Sequence, residues 1–322
     1  MDDLSFMPYH GMLMPYKECS LTSEIKSGSY AEVHFVTCHG SNYVIKWNKK
    51  NTPCEQEENE RYLQYLASRI GLSIPIVGLV YNNRTHKNGW AMRKLETNLF
   101  HDLFDLSVEQ QQDAKMYYIN LIDSILEHTL DKKAQSCLES IKKEIHLLTN
   151  LYRLGKLYIF KIKPFWDTYM KVQPEIYYIK DKDQHAEFKK NALRSSIQLA
   201  KTLYHFRIQH NDLHTGNIMR DQHGIYYLID FGLSSMFLYD KPQSDLIFLR
   251  KSIETSIKKF NKDEEQYPVR FEFLLLHVFD ELLAHIPDRP LLTFYDEQTW
   301  TVHERNDYFR EQLVDYIMSY KA

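Results

Sequence analysis

The chain lacks several features that mark specialised proteins. Its formal net charge is only −3 over 322 residues, and it has no long basic run or stripe, so we expect no nucleic-acid partner. No uninterrupted apolar run approaches the ~20 residues that cross a bilayer, and the start has no secretory signal, so we expect no membrane span. Internal repeats and low-complexity tracts are missing as well.

Cysteine is also scarce. The four cysteines, Cys19, Cys38, Cys54 and Cys137, show no paired spacing, which predicts free thiols in a reducing compartment. We therefore expect a cytoplasmic protein. Because 43% of its 322 residues are hydrophobic, the chain can bury sizeable cores, and its length predicts about two domains.

The most informative stretch is residues 210–232, HNDLHTGNIMRDQHGIYYLIDFG. It predicts a loop followed by a hairpin whose turn is Asp221 to Gly224, and this hairpin brings Asp230 back beside Asn217. Asp212 can accept a hydroxyl proton. An amide and a second aspartate offer hard oxygen ligands to Mg2+, so the three side chains form a minimal site for phosphoryl transfer from a nucleotide.

Two other interpretations of this stretch remain open. His210 and His214 stand four apart, as two zinc ligands on a helix do. However, no further Cys or His follows at ligand spacing, and Gly216 argues against a continuous helix. The other alternative is a polar turn and a strand end without chemistry, which two motifs at mutually correct spacing disfavour.

The stretch resembles the protein-kinase superfamily, with HNDLHTGN in place of H-R-D-L-x-x-x-N and Asp230-Phe231-Gly232 as D-F-G. The resemblance implies that Asp212 orients and deprotonates the acceptor hydroxyl and that Asn217 and Asp230 hold Mg2+. It also implies that His210 and His214 shape the catalytic loop, and that ATP and Mg2+ are the cofactors.

The amino-terminal third resembles a nucleotide-binding lobe. Residues 25–33, IKSGSYAEV, resemble the kinase G-x-G-x-x-G-x-V with only the middle glycine kept, so Gly28 and Ser29 would approach the phosphates. The β-branched run at 41–47 carries Lys46 at the place of the V-A-I-K lysine. This position implies that Lys46 reaches the α and β phosphates and pairs with a glutamate.

That glutamate would lie on a helix predicted over residues 55–70, where apolar residues recur at helical spacing. Glu57, Glu58 and Glu60 all lie near its buried face, so the pattern alone does not fix the partner. We predict Glu60, with Glu57 and Glu58 solvated.

Residues 74–80 and 89–96 follow, and the second run resembles the fifth strand and hinge of a kinase. On that alignment Met92 backs the adenine, and the backbone from Arg93 to Leu95 hydrogen-bonds it.

A helical excess lies between the hinge and the catalytic loop, over about residues 106–184. Its pattern predicts helices at 108–130 and 132–154, then a strand or extended loop at 157–160. A further helix at 187–206 leads into the catalytic loop. The excess is either a brace or an acceptor surface, for which the aromatic positions expected to be exposed are Tyr158, Phe165 and Trp166.

Downstream of Asp230 the chain is compact. Asp245 follows closely, no A-P-E appears, and Asn211 replaces the arginine that grips a phosphorylated activation loop. The aspartate at 245 looks like the one that braces the catalytic loop from a central helix. This compaction resembles eukaryotic-like kinases: haspin-type, viral and bacterial effector kinases, and the aminoglycoside and choline phosphotransferases.

We therefore predict an α+β, bilobal protein-kinase-like fold. A small β-rich lobe with one helix covers residues 1–95, and a larger, mainly helical lobe covers 96–322 and ends in amphipathic helices at 271–285 and 307–321. The leading function is an ATP- and Mg2+-dependent serine/threonine protein kinase. Alternatives are a kinase of small alcohols, as in the aminoglycoside and choline enzymes, and a pseudokinase scaffold. We also expect a regulatory partner of the 55–70 helix, and a host cytoplasm if the protein is a viral or secreted effector.

Overall fold

The structure, a computed structural model, describes residues 4–12, 19–27, 31–48, 53–104, 108–148, 157–170, 183–238, 242–261, 275–293 and 302–320. Its amino-terminal part is built on one antiparallel sheet of six strands in the order β1-β5-β6-β4-β3-β2. These strands are β1 (Leu4–Met7), β2 (Cys19–Ser27), β3 (Ala31–Cys38), β4 (Ser41–Asn48), β5 (Ile76–Asn82) and β6 (Lys87–Arg93).

The sheet separates an apolar side from the side that carries the lysine. Tyr43, Ile45 and Trp47 alternate along β4 and lie in one buried cluster with residues of β3, β5 and β6. Successive side chains of a strand point to opposite faces, so Lys46 is directed to the other face. That face is covered by helix α1 (Cys54–Arg69).

Two smaller sheets follow. The hairpin of β9 (Ile218–Arg220) and β10 (Tyr226–Leu228) is joined by β7 (Thr97–Asn98), and β8 (Ile208–Gln209) pairs with β11 (Ser235–Met236). The turn between β9 and β10 closes through the Gly224 amide, which donates to the Asp221 carbonyl oxygen at 3.1 Å. The hairpin therefore forms where the sequence predicts it.

The remaining elements are helical. They are α2 (Leu99–Phe104), α3 (Val108–His128), α4 (Lys132–His146), α5 (Lys163–Tyr169), α6 (Asp183–His205), α7 (Ser244–Asn261), α8 (Leu275–His285) and α9 (Val302–Ser319). A β-sheet region followed by a mostly helical remainder confirms the predicted α+β class.

One local prediction in the helical excess is wrong. Tyr158–Ile162 is a π-helical turn that runs directly into α5, not a strand or extended loop. Pro164 lies in the first turn of α5, where a proline interrupts no intrahelical hydrogen bond, so it begins that helix.

The expected exposure of Trp166 is wrong as well. Its side chain is 8% exposed and belongs to a core that α3 and α4 share with the π-helical turn. Phe165 is partly buried against the same core. Apolar burial, not solvent contact, therefore accounts for these aromatic residues.

The chain divides into two compact units. The first comprises Met1–Leu99, Arg194–Leu249 and Leu283–Ala322, and the second comprises Phe100–Leu193 and Arg250–Leu282. All of the predicted site residues belong to the first unit. The helical excess belongs to the second.

The prediction of free thiols is wrong at Cys38. Cys38 is disulfide-bonded and fully buried, and Cys19 stands opposite it in the register of β2 and β3. Cys137 is a free, exposed thiol. Within the described ranges, no helix is both long and apolar enough to span a bilayer.

Candidate active site

Lys46 lies at the centre of a buried charge cluster. Its ammonium forms ion pairs with Glu60 of α1 and with Asp230, whose Oδ1 is 2.6 Å from Nζ. Trp90, the partner of Lys46 in the register of β4 and β6, places its ring centroid 5.5 Å from the same nitrogen. The strand, the helix and the segment after β10 thus meet at one cation.

Helix α1 supplies the glutamate. Glu60 is 4% exposed and is the one of the three candidate glutamates that contacts Lys46. The expectation that Glu57 is solvated is wrong, because it is 8% exposed and accepts a hydrogen bond from Arg61 one turn further along, at 2.7 Å. Glu58 is exposed.

One ammonium shared by two carboxylates sets the ionisation of the cluster. Burial alone would lower the pKa of Lys46, but Glu60 and Asp230 raise it above its ordinary value. Burial raises the pKa of Glu60, an effect that Lys46 opposes only in part. Burial would also raise the pKa of Asp230, but the nearby ammonium of Lys46 lowers it. Asp230, the more exposed acid, is therefore the stronger one.

The inner face of α1 also holds the segment that contains Asp230. Gln56 donates a hydrogen bond to the carbonyl oxygen of Gly232 at 3.1 Å, and Asn59 donates to that of Ser234 at 3.2 Å. A Cβ on Gly232 would lie 3.4 Å from Oε2 of Glu60. Sequence reasoning missed Gln56 and Asn59, although Gln56 lies one helical turn before Glu60 and so shares its face.

The catalytic loop places Asp212 beside Asn217. The side-chain amide of Asn217 donates to the carbonyl oxygen of Asp212 at 3.0 Å, and its nitrogen lies 3.4 Å from the carboxylate oxygen Oδ2. The backbone amide of Ile229 donates to the Asn217 carbonyl at 3.0 Å, which ties the loop to the strand before Asp230. Asp230 itself has φ 63° and ψ 68°, the left-handed region that non-glycine residues rarely adopt.

His210 is a structural member of the loop. It is fully buried, and its Nε2 donates to the carbonyl oxygen of Ile229 at 2.9 Å. Burial lowers the pKa of this imidazole, so its neutral form is favoured. The ring packs against Phe231 of the D-F-G segment with centroids 5.1 Å apart.

His214 faces Asp212. Its Nδ1 accepts a hydrogen bond from the amide of Gly216 at 3.0 Å, and its Nε2 lies 3.9 Å from Oδ2 of Asp212. Because Nδ1 is an acceptor, the hydrogen of the neutral ring is on Nε2. A Cβ on Gly216 would come within 2.8 Å of this ring, so glycine makes the arrangement possible. Both histidines are therefore held by backbone groups.

Asp245, at the start of α7, braces the loop as predicted. Its two carboxylate oxygens accept the backbone amides of His210 at 2.7 Å and Asn211 at 2.9 Å. The Asn211 side chain donates to the carbonyl oxygen of Leu233 at 2.9 Å and to Oγ of Ser235 at 3.1 Å. Asparagine thus links the loop to the segment after D-F-G without any charge.

At the predicted hinge, Met92 is buried with Ile74, Ile76, Trp90 and Leu95. The amide of Lys94 donates to the carbonyl oxygen of Asn42 at 3.0 Å and so serves the sheet.

Because the amide of Lys94 is bonded to Asn42, the predicted backbone hydrogen bonds to adenine would come from Arg93 and Leu95. Gly28 and Ser29 of the predicted phosphate loop lie outside the described residues.

The donor set fits Mg2+. Asp230 offers one carboxylate, and Asn217 offers its amide oxygen because its amide nitrogen is bonded to Asp212. Mg2+ is commonly held by one or two carboxylates together with water and substrate phosphates. A zinc site needs at least three such protein ligands. Among the described residues, no group of three or more His, Cys, Asp or Glu is placed to hold a metal ion.

Comparisons with known proteins give two results on relatives. No curated protein matches the chain. Among the solved structures, the chain is similar to the kinase domain of a Toxoplasma gondii specific rhoptry antigen, with 13% identity and a TM-score of 0.34. The match covers 68% of this chain and 50% of the solved one, so the chain spans about half the length of that domain.

A family model gives the third result. The model described as APH, phosphotransferase enzyme family, matches residues 23–249. This range is more than half of the chain and contains Lys46, Glu60, Asp212, Asn217 and Asp230. The chain therefore belongs to the APH phosphotransferase enzyme family, within the protein-kinase-like superfamily that its motifs indicate.

Proposed function

We propose that this phosphotransferase moves the γ-phosphoryl group of ATP to a hydroxyl group in a Mg2+-dependent reaction. The observation that carries the proposal is the ammonium of Lys46, shared by Glu60 and Asp230, in the same compact unit as Asp212 and Asn217. Such a cation is held rigidly, and rigid, pre-oriented charge is the main contribution that a protein makes to phosphoryl transfer.

Each residue then has a separate task. Asn217 and Asp230 would hold Mg2+, which supplies charge neutralisation at the phosphates when it is bound. Lys46, kept in place by Glu60, reaches the nucleotide phosphates. Asp212 accepts the hydroxyl proton and orients the acceptor, and the fixed Nε2–H of His214 points toward this carboxylate. His210 is fully buried, and its task is to shape the loop.

The acceptor that we propose is a serine or threonine of a protein. Support comes from the open setting of Asp212, whose side chain is 33% exposed. Leu233, Ile247 and Phe248 are exposed apolar side chains in the two segments that Asn211 joins. Large apolar side chains that stay exposed in such segments favour a surface that meets another macromolecule.

A small hydroxylated molecule is the second candidate acceptor. It is favoured by the family match and by the short segment between Asp230 and Asp245, which offers little length for a peptide-docking platform. The family description names no acceptor, so the two candidates are distinguished by experiment.

The test uses labelled ATP, Mg2+, and either a protein mixture or a panel of small alcohols. Asp212→Asn and Asp230→Asn should both abolish transfer, because general-base assistance alone is worth roughly 10²–10⁴ in rate. Mg2+-dependent ATP affinity should fall for Asp230→Asn and stay near wild type for Asp212→Asn. The control is Asp280→Asn, at an exposed aspartate of the second unit.

Three outcomes would contradict parts of the proposal. Wild-type turnover in Asp212→Asn or Asp230→Asn would remove the catalytic assignment. ATP binding by the wild type without transfer to any acceptor would instead support a pseudokinase scaffold. Label found in the alcohols and not in the proteins would decide for the second candidate.

A further inference from the structure

Helix α9 lies against the outer side of α1. Its residues Leu313 and Ile317 are completely buried, and Nη2 of Arg69, in the last turn of α1, donates to the carbonyl oxygen of Met318 at 3.2 Å. Burial raises the pKa of Tyr62, on the same side of α1, and Asp315 of α9 adds to this effect. The two helices therefore meet along more than one turn.

The same helix also contacts the residues that lead into the catalytic loop. The ring of Phe206, which is fully buried, lies 6.1 Å from that of Tyr316 and 5.2 Å from that of Tyr320. The guanidinium of Arg207 lies 5.7 Å from the ring of Phe309. Aromatic and cation–π contacts of this kind contribute beyond simple area burial.

Arg207 connects this contact to the loop itself. It has φ 56°, its Nε donates to the carbonyl oxygen of Leu292 at 2.9 Å, and its Nη1 donates to that of Leu238 at 2.9 Å. Strand β8 and then His210 follow it immediately. A residue in this strained conformation persists only when its surroundings hold it, and α9 is part of those surroundings.

Helix α1 thus lies between α9 and the segment that carries Asp230. Its inner face bonds that segment through Gln56 and Asn59 and presents Glu60 to Lys46. A shift of α1 by a fraction of a turn would move Glu60 away from the ammonium. What fixes the outer side of α1 therefore also fixes the ion pair.

We propose that α9 is a positioning element of the phosphotransfer reaction, acting through α1 on the Lys46–Glu60 pair and through Phe206 on the catalytic loop. The positioning residues are Tyr316 of α9 and Tyr320 directly after it, together with Arg69 on the helix that α9 supports. Helix α9 then positions α1 from its outer side, which is the task that the sequence analysis gives to a regulatory partner. This inference rests on the proposed function.

The first experiment compares Tyr320→Leu and Arg69→Met with wild type. Both variants should lower kcat/KM for ATP by roughly two- to thirtyfold, the usual range for residues that act through others, and leave KM for the acceptor unchanged. Arg69→Lys keeps a donor for the Met318 carbonyl and should restore most of the activity. Glu311→Ala, an exposed position of α9, is the control and should behave as wild type.

The second experiment combines Arg69→Met, which breaks the contact between α1 and α9, with Glu60→Gln. If α9 acts through Glu60, the double variant should be no slower than Glu60→Gln alone, because the pair is already broken. Multiplied losses, or a lower melting temperature with wild-type kinetics, would show that α9 is only a brace. The affinity for Mg2+-ATP is measured in parallel. If the wild type binds ATP without transferring phosphate, the proposed function fails. A changed ATP affinity in Arg69→Met would still support the role of α9.

Discussion

The brace at Asp245 allows a quantitative prediction. Its buried carboxylate accepts two backbone amides, at 2.7 and 2.9 Å, and the second amide belongs to Asn211, whose φ is 64°. A non-glycine residue in that region is strained by roughly 1–3 kcal/mol. The two hydrogen bonds hold this strained backbone directly before Asp212.

The change Asp245→Asn keeps the size of the side chain and one acceptor oxygen. The other oxygen becomes an NH2 group that faces a backbone N–H, so one hydrogen bond to a charged acceptor is lost. Such a bond contributes roughly 1.5–3 kcal/mol, and the amide left without an acceptor costs about 1–3 kcal/mol. These effects overlap, and we expect local opening to become easier by about 2–4 kcal/mol.

A matched control is Asp280→Asn. The carboxylate of Asp280 also accepts two hydrogen bonds, from Nε and Nη2 of Arg250 at 2.8 and 2.7 Å, but it is exposed on the surface of α8. Exposed pairs of this kind are worth about 0–1 kcal/mol. The same chemical substitution should therefore have a small effect there.

The assay is native-state hydrogen exchange of the peptides that cover residues 208–217. In Asp245→Asn the amides of His210 and Asn211 should exchange roughly 30- to 1,000-fold faster than in wild type, as 2–4 kcal/mol requires. The turnover number should fall as well, because Asp212 follows this backbone. Equal exchange rates in wild type and Asp245→Asn, or an equal effect of Asp280→Asn, would refute the reasoning.

Four further predictions follow from the structure. Because burial raises the pKa of Glu60 above its ordinary 4.5, activity should rise with pH through that higher value, and Glu60→Gln should remove this acidic limb from the pH–rate profile. Phosphatase treatment should leave activity within a few fold, since Asn211 bonds Leu233 and Ser235 without any charge; loss of activity that returns on rephosphorylation would contradict this. Trp166→Leu should lower the melting temperature and leave both Michaelis constants unchanged. Phe160→Leu, at an exposed position, should change neither the melting temperature nor the Michaelis constants. Thiol labelling of unfolded, unreduced protein should leave Cys38 unmodified until a reductant is added; labelling without reductant would favour the cytoplasmic location that we expect from the sequence.

The arrangement of the candidate site residues was predictable because the spacing of short motifs encodes it. Asp212, Asn217 and Asp230 lie on one loop and one hairpin, and local turn chemistry is enough to bring them together. Lys46 could be placed because the β-branched strand that carries it resembles the V-A-I-K strand of kinases. Asp245 could be placed because it begins a helix soon after D-F-G.

Features that depend on distant packing were not predictable in the same way. The disulfide at Cys38 follows from the register of two strands, which cysteine spacing does not show. Burial of Trp166 depends on a core built by α3 and α4. The π-helical turn at Tyr158–Ile162 is short and apolar, and a run of this kind does not distinguish a strand from a helix by periodicity.

The choice of Glu60 over Glu57 as the partner of Lys46 depends partly on local spacing and partly on distant packing. Helical spacing places both near one face, and only the position of α1 on the sheet separates them. Glu57 is occupied by Arg61, whose guanidinium also lies 5.9 Å from the ring of Trp90. Arg61 therefore engages Glu57, and Glu60 is the glutamate that reaches Lys46.

The contact between Arg69 and Met318 joins residues 249 positions apart, and the pair of Lys46 and Asp230 spans 184. Contacts of such separation require large loops to close before they stabilise anything, so they form late and slow the folding of a chain. During synthesis, a nascent chain whose candidate site residues have all left the ribosome would still lack α9. Its nucleotide site should therefore mature only after that helix has left the ribosome, and a product that ends before residue 302 should accumulate as a folded but poorly active, chaperone-dependent species.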